Sequence, residues 1–385
     1  MRRRQWLRWG CAHCAAFGGL AQAQESLPLD PEAAVPRFTR PDAASDEGGL
    51  WAMMDREETR LRRSPFRMRD EGLNKYLTDL VCRLGGDHCP DIRVYPIRTP
   101  YFNASMAPNG MMQVWSGLLL RMENEAQLAA VLSHEIGHYL RRHSVERLRD
   151  IRSRAAFGQI IGLFGIVGLV GQLATLAGAL AFSRDHEREA DRIGIQLLQR
   201  HGYQPLEASR VWNNLIDELR AIPDNDPTLN SVLLATHPGV GERAQALSEL
   251  AAGMVGETRE AEYRAQIAPL RQGLLEDELK RGRLPESVAL LNRMIARESG
   301  SAELLHFRGE ARRLSGTDAE LPLALDDFLS ALKAPGPLPM TQRSLGYLYR
   351  TMQQPAAARA AWTEYLAQAP NAPDAALIKQ TLTEF

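Results

Sequence analysis

The sequence His-Glu-x-x-His at residues 134–138 is the feature that most constrains how this 385-residue chain can fold. It lies within a helical pattern that spans residues 124–148, and side chains four residues apart share one face of a helix. His134 and His138 can therefore bind one Zn²⁺ ion, while Glu135 faces a water on the metal. A surface helix with two histidines is the alternative, but the helical setting and an acidic motif downstream favour the metal site.

The acidic motif is Glu-Arg-Glu-Ala-Asp at residues 187–191, in a predicted helix over 183–200. A hydrolytic zinc site usually has three protein ligands and one open position, so a third ligand must come from elsewhere in the fold. Glu187 and Asp191 share a helix face, which suits one as ligand and the other as hydrogen-bond acceptor for a ligand imidazole. The spacing does not separate Glu187 from Glu189, and a solvated first turn of a helix is also acidic.

Residues 155–182 form an apolar segment without charged side chains and with six glycines. Its length and apolarity suggest a membrane span, but the predicted metal ligands lie on both sides of it and must meet at one ion. The chain must therefore double back, and each arm of about 14 residues would be ~21 Å long, short of a ~30 Å hydrocarbon core. We predict a glycine-rich helical hairpin that is either buried against the protein or in peripheral contact with a membrane.

The N-terminus is typical of an export signal. Residues 1–23 combine a basic start, a short apolar stretch and a small-x-small cleavage site, and residues 24–46 are a predicted flexible lead. Cleavage would remove four arginines and leave a formal charge of −5. General secretion is the default, and a twin-arginine signal over 3–8 and a lipoprotein signal at Cys11 are the alternatives.

The two remaining cysteines agree with export. Cys82 and Cys89 are close enough in sequence for a small disulfide loop in an oxidising compartment, and two free thiols are the alternative. The length predicts two or more domains, and the 44% hydrophobic content is ordinary for a globular chain. A net charge of −1 gives no electrostatic case for binding nucleic acid.

Between the lead and the metal helix we predict helices over 50–63 and 71–84 and strands over 92–97 and 111–115, with a turn at Gly110. An extended peptide can pair with an edge strand beside the metal helix, and a plain core hairpin is the alternative. The candidate substrate-binding residues are Asn103, Ala104, Met112 and Val114.

These motifs, together with Asn-Ala at 103–104 and Pro-Asn-Gly at 108–110, resemble the HtpX/CAAX-prenyl-protease family of zinc metallopeptidases. The signal and the repeat-like tail are similar to its periplasmic BepA-type members. The resemblance covers residues 45–250 by motif and the rest by architecture only. It implies a mainly α, gluzincin-like metalloprotease domain with a small β-sheet over 47–255.

The resemblance also implies a role for each matching residue. His134, His138 and Glu187 would bind one zinc ion per chain, Glu135 would be the catalytic base, and Asp191 would orient a ligand histidine.

The family has a His-Pro followed by Arg, which this chain matches with His237 and Arg243. The resemblance implies that this pair stabilises the transition state, or that His237 caps the zinc and silences the enzyme. An ordinary loop histidine is the alternative for His237.

Residues 256–385 have the spacing of a tetratricopeptide-like helical repeat. Small, large and proline positions recur at Gly346, Ala358, Trp362 and Pro370, and an upstream copy begins at Gly309. Stacked helix pairs of this kind form a concave surface that binds extended segments, so we expect partner docking here. An irregular helical bundle is the alternative.

The sequence thus predicts an exported zinc endopeptidase of the periplasm. The resemblance implies that it degrades misassembled or unfolded outer-membrane proteins and docks on the β-barrel assembly machinery through its repeats. The rival interpretation is a chaperone-like scaffold whose zinc site stays silenced by His237. A membrane-embedded protease of prenylated substrates would need more membrane spans than this chain offers.

Overall fold

Helices dominate the fold, and a small sheet lies beside them. A computed structural model describes residues 40–153, 182–222, 237 and 240–384. The predicted signal, most of the predicted lead and the predicted hairpin up to residue 181 lie outside this range. The first half of the described chain comprises α1 (Asp46–Arg63), α2 (Glu71–Gly85), β1 (Arg93–Ile97), β2 (Ala104–Met106), β3 (Met111–Trp115), α3 (Ser116–Arg121), α4 (Glu125–Leu140), α5 (His143–Ser153), α6 (Arg184–Arg200), α7 (Glu207–Arg220) and α8 (Val240–Leu250).

The regular elements of the remaining described residues are all helices, which agrees with the predicted mainly α fold class. Their elements are α9 (Glu260–Lys280), α10 (Leu284–Arg297), α11 (Ala302–Ser315), α12 (Glu320–Lys333), α13 (Met340–Thr351), α14 (Pro355–Gln368) and α15 (Ala375–Glu384). Among the described residues, no helix is both apolar enough and long enough to span a bilayer.

The helix α2 shows how the sequence builds these elements. Asp70 accepts a hydrogen bond from the Leu73 amide at 2.8 Å and so caps the first turn. Leu73, Leu77, Leu80 and Leu84 follow at helical spacing, and all are buried. The helix ends at Gly85, and Cys82 in its last turn forms a disulfide with Cys89 in the 3₁₀ segment Gly86–Asp91.

The sheet corrects the predicted chain path. The two predicted strands are present as β1 and β3, but they pair in parallel, with Val94 opposite Met112, and so do not form a hairpin. The short strand β2, which the sequence analysis missed, pairs antiparallel with β3. Within the described ranges the strand order is β1-β3-β2, which makes β3 the central strand.

The predicted helix over 124–148 is interrupted. The helix α4 ends at Leu140, and Arg142 has a left-handed backbone conformation with φ of 57°. A left-handed residue cannot continue a right-handed helix, so the chain turns and α5 begins at His143. Side chains after the turn therefore do not follow the helical positions that the sequence predicted for them.

The C-terminal helices pack as neighbouring pairs. A side chain at Gly346 of α13 would collide with the indole ring of Trp362 on α14. A Cβ at Gly309 of α11 would lie 2.8 Å from the ring of Phe328 on α12. These close approaches explain the small-to-large spacing in the sequence, and the assignment of this region as a tetratricopeptide-like repeat stays a prediction.

The helix α9 joins the C-terminal helices to the part of the chain that contains the pentad. Arg121 of α3 is buried between two carboxylates, with its Nε 2.7 Å from Glu218 of α7 and its Nη2 2.9 Å from Glu278 of α9. The Tyr263 hydroxyl of α9 donates a hydrogen bond to the Leu119 carbonyl. The predicted domain boundary near residue 255 precedes α9 and stays a prediction.

Candidate metal centre

The helix α4 carries the pentad in the interior of the protein. Asn124 caps it by accepting a hydrogen bond from the Gln127 amide at 2.9 Å. His134, Glu135 and His138 are all buried. The Nε2 atoms of the two histidines are 3.0 Å apart, as expected when both imidazoles face one point from successive turns.

The helix α6 crosses α4 closely enough to bring an acidic side chain to the histidines. A Cβ at Gly137 would lie 3.1 Å from the backbone of Ala190, so a larger residue would push the helices apart. The Glu187 carboxylate consequently lies 3.5 Å from the Nε2 atoms of both His134 and His138. Glu187 meets the two imidazoles, whereas Glu189 contacts other side chains.

His237 completes the cluster. Its Nδ1 is 3.3 Å from His134 Nε2 and 3.0 Å from the nearer Glu187 oxygen, and its Nε2 is 3.6 Å from Glu135 Oε1. In the described part of the chain, four buried residues can thus offer ligand atoms within 4.8 Å of one another: His134, His138, Glu187 and His237.

The geometry of these atoms fits a tetrahedral metal. Donors bound tetrahedrally at ~2.0–2.1 Å lie about 3.3 Å apart, and the separations given above are 3.0 to 3.5 Å. Imidazole nitrogens with one carboxylate suit zinc and related transition metals, whereas magnesium and calcium prefer oxygen ligands. Glu135 Oε1 beside the cluster is buried and has no hydrogen-bond partner among the described residues.

Asp191 and Arg243 hold two of the donors in place. His134 Nδ1 lies 2.9 Å from Asp191 Oδ1, which accepts its proton when Nε2 faces the metal. Arg243 of α8 donates from Nη2 to the same carboxylate at 2.6 Å, and its Nη1 lies 2.7 Å from a Glu187 oxygen as an ion pair. The guanidinium also stacks on the Trp212 ring of α7, 4.4 Å from its centroid.

The local field separates the two glutamates of the site. Burial opposes ionisation of Glu187, but the electrostatic influence of His237 and hydrogen bonds from His134 and His138 outweigh it, so the pKa of Glu187 lies well below its ordinary value. Burial is also the main influence on Glu135, and it raises the pKa of that group. Glu187 is thus ionised, as a metal ligand must be, and the neighbouring Glu135 has a higher proton affinity, as a general base needs.

The sequence analysis missed the residues that contact the far side of His138. His143 Nδ1 is 2.9 Å from His138 Nδ1, and His143 Nε2 is 3.2 Å from a Glu189 oxygen. The Phe182 ring stacks on His138 at 3.8 Å between centroids. In the unbroken helix that was predicted, His143 would point about 140° away from His138, so only the turn at Arg142 brings the two rings together.

The predicted substrate-binding residues are divided by the sheet. Met112 and Val114 lie in the central strand β3, whose backbone is paired on both sides, so the interpretation of 111–115 as an edge strand is wrong. Ala104 lies in β2, which pairs on one side only within the described ranges, and Asn103 directly precedes it. Asn103 Oδ1 is buried and has no hydrogen-bond partner in that part of the chain.

A small, largely apolar pocket adjoins His134 and Glu135. Its walls include Val131 of α4, Ile195 of α6 and Trp212 of α7.

Comparisons with known proteins agree with this geometry. Residues 68–251 match the model of Peptidase family M48. Over 222 residues the chain is 31% identical to the beta-barrel assembly-enhancing protease of Escherichia coli strain K12. This match covers 52% of this chain and 44% of the relative. It is 33% identical over 156 residues to the mitochondrial metalloendopeptidase OMA1 of Arabidopsis thaliana, covering 40% of this chain and 31% of the relative.

These matches therefore span less than half the length of either relative. The family match begins within the loop before α2, contains β1 to α8, and includes all four residues of the cluster. Residues 68–251 of this chain are accordingly a metallopeptidase domain of Peptidase family M48.

Proposed function

We propose that this protein is a periplasmic zinc endopeptidase that degrades misassembled or unfolded proteins of the outer membrane. The convergence of four buried donors beside Glu135, within the segment that matches a metallopeptidase family, carries this proposal. The disulfide between Cys82 and Cys89 supports an oxidising compartment, because such bonds persist there. The name of the Escherichia coli relative supports the outer-membrane substrate class.

His134, His138 and Glu187 would hold the zinc ion. When bound, Zn²⁺ polarises the substrate carbonyl and activates a water molecule at neutral pH. Glu135 accepts the proton of the attacking water and later delivers it to the leaving amine, a role that suits its raised pKa and its free Oε1 atom. Arg243 forms ion pairs with Asp191 and Glu187, so we expect it to act by positioning these carboxylates.

His237 gives the site a latent state. A catalytic zinc site keeps one position for water or substrate, whereas a site with four protein ligands is closed. His237 Nδ1 lies among the other three donors and would fill the fourth position. Displacement of His237 would open that position for water or substrate.

The substrate would be an extended chain that pairs with β2. This strand pairs on one side only within the described ranges, and it packs against α4. A folded protein already has its backbone paired, so only an unfolded segment can pair with β2 beside α4. The C-terminal helices would bind the substrate or the β-barrel assembly machinery as a docking surface.

Zinc analysis combined with casein cleavage tests the proposal. The parent protein should contain one zinc ion per chain, and His237→Ala should cleave faster than the parent because the fourth position is open. Glu135→Gln should keep the zinc and lose at least about 100-fold of the cleavage rate, since general-base catalysis contributes about that much. His138→Ala should lose the metal itself.

The same experiment addresses the second candidate function. The four-donor arrangement is also what a structural zinc site looks like, which favours a scaffold that assists outer-membrane protein assembly through its C-terminal helices. Zinc bound without cleavage by either the parent or His237→Ala would support the scaffold and contradict the protease.

A further inference from the structure

A series of hydrogen-bonded side chains connects the metal centre to the surface on the side of His138. Its middle member is His143, which is buried with 1% of its side chain exposed. His143 Nδ1 approaches His138 Nδ1 at 2.9 Å, and His143 Nε2 approaches Glu189 Oε2 at 3.2 Å. Glu189 is 42% exposed and also forms an ion pair with Arg141, whose Nε lies 2.9 Å from Glu189 Oε1.

The direction of each hydrogen bond in this series follows from the position of the metal. His138 Nε2 points into the donor cluster, so its ring proton must be on Nδ1 if it is to bind a metal as a neutral ligand. His143 Nδ1 must then accept that proton, which places the His143 proton on Nε2. An ionised Glu189 can act only as an acceptor, so it accepts this second hydrogen bond and is the last member of the series.

Stacking fixes the planes of both rings. Phe182 stacks on His138 with 18° between the ring planes. His186 stacks on His143 with 16° between the planes and 4.3 Å between the centroids. His186 Nε2 is itself 3.1 Å from Glu146 Oε2, so the second stack is anchored to α5. Neither ring can rotate without breaking a stack and a hydrogen bond.

The two ligand histidines are therefore supported differently. His134 donates directly to the Asp191 carboxylate, whereas His138 reaches a carboxylate only through another imidazole. A partner that accepts the far proton of a ligand histidine fixes its tautomer and strengthens it as a donor. Loss of such a partner typically weakens metal affinity about 10- to 100-fold.

We propose that His143 is a positioning residue of the metal centre, which holds His138 in its metal-binding tautomer and links it to the Glu189 carboxylate. This inference rests on the metal site of the proposed function. His143 acts through His138 and does not contact the substrate or the metal. The turn at Arg142, with its left-handed backbone, is the local feature that brings His143 under the ligand.

Zinc affinity measured by competition with a chromophoric chelator tests the proposal without reference to activity. His143→Leu should weaken zinc binding at least about 10-fold, and the visible spectrum of the Co²⁺-loaded protein should change because the ligand field at His138 is altered. His143→Gln should recover most of the affinity, since its amide can accept from His138 and donate to Glu189. Glu189→Gln changes a surface carboxylate and should produce a smaller loss.

Two comparisons distinguish a relay from a packing effect. His186→Phe keeps a ring stacked on His143. Its zinc affinity should stay within about threefold of the parent's, and its Co²⁺ spectrum should not shift. The double variant His143→Leu/Glu189→Gln should bind zinc as weakly as His143→Leu alone, because Glu189 acts only through His143. Additive losses would contradict the relay.

An unchanged zinc affinity in His143→Leu and Glu189→Gln would overturn the inference. If His143→Leu does not fold, the affinities of His143→Gln and Glu189→Gln relative to His186→Phe decide in its place. Failure of the parent protein to bind zinc at all would overturn the proposed function together with this inference, whereas normal zinc binding with unresponsive variants would overturn this inference alone.

Discussion

At the scale of residues, single buried side chains show which features of the metal centre could be predicted from the sequence alone. The pentad spacing was enough to predict that His134 and His138 face one point, because helix geometry alone sets it. The choice of Glu187 over Glu189 needed the crossing of α4 and α6, which sequence spacing does not contain. His143 could not be predicted, since its position depends on a left-handed residue within an otherwise helical pattern.

His306 is a residue for which the structure adds a prediction about pH. It is buried in α11, with its Nδ1 3.1 Å from the Thr341 hydroxyl, and burial lowers its pKa from 6.5 to about 4. The folded state therefore keeps His306 neutral, while the unfolded chain takes up a proton near pH 6.5. Its contribution to stability is complete above pH 6.5, and about 3 kcal/mol is lost as the pH falls from 6.5 to 4.

Urea unfolding of the parent and of His306→Gln at several pH values between 4 and 7.5 measures this contribution. The difference in unfolding free energy between the two proteins should change with pH only below about 6.5, because the glutamine does not titrate. A difference that stays constant over the whole range would show that His306 does not couple folding to pH.

Pairs of elements were only partly predictable. Periodicity located most helices and two of the three described strands, because local spacing determines which face is apolar. The strand order was not predictable. β1 and β3 are neighbours in the sheet, although β2, a strand of only three residues, lies between them in the sequence. The close packing of the C-terminal helix pairs was visible in the sequence as glycines opposite large aromatic residues.

A pair of glycine-to-alanine substitutions tests that packing. Gly346→Ala should destabilise the protein by about 1–3 kcal/mol, because a methyl group there collides with the Trp362 ring. Gly273→Ala in α9 meets no atom within 4 Å and should stabilise by up to about 1 kcal/mol through helix propensity. Chemical denaturation compares the two, and equal effects of the same sign would contradict this account.

The ion pairs between α3, α7 and α9 provide a second test at this scale. Arg121→Met leaves Glu218 and Glu278 buried without their shared partner and should cost about 3–5 kcal/mol of unfolding free energy. Arg98→Ala removes an exposed bidentate pair with Asp277 of the same helix α9, and it should cost at most about 1 kcal/mol. Similar losses in both variants would mean that burial does not govern the strength of these pairs.

At the scale of the whole molecule, the metal centre links segments that are distant in sequence. Its four donors come from α4, α6 and the segment before α8, and 103 positions separate His134 from His237. The sequence predicted that α4 and α6 meet, because three ligands must reach one ion, whereas only the family resemblance implied that His237 joins them. It did not predict how α9 joins the C-terminal helices to them, since that contact depends on the buried side chains of α3 and α7.

Removal of the metal should therefore weaken the fold of the whole family-matched domain. A chelator should lower the midpoint of thermal unfolding of the parent protein, because an ion that binds only the folded state stabilises it by its binding free energy. The midpoint of His138→Ala should not respond to the chelator. Thermal scans with and without a chelator give this result directly, and an unchanged parent midpoint would show that the centre contributes nothing to stability.

The separation of the donors along the chain also bears on how a centre of this kind can diversify. Glu187 and His237 are 50 positions apart, and a similar length of chain lies between His138 and Glu187. Because doubling the length of a flexible connection adds only about 0.6 kcal/mol to its closure, connections between the helices of these intervals, such as the one between α6 and α7, can lengthen while the helices keep the geometry of the centre. Lineages that share this centre are free to evolve new recognition surfaces within the intervals without having to reinvent the chemistry.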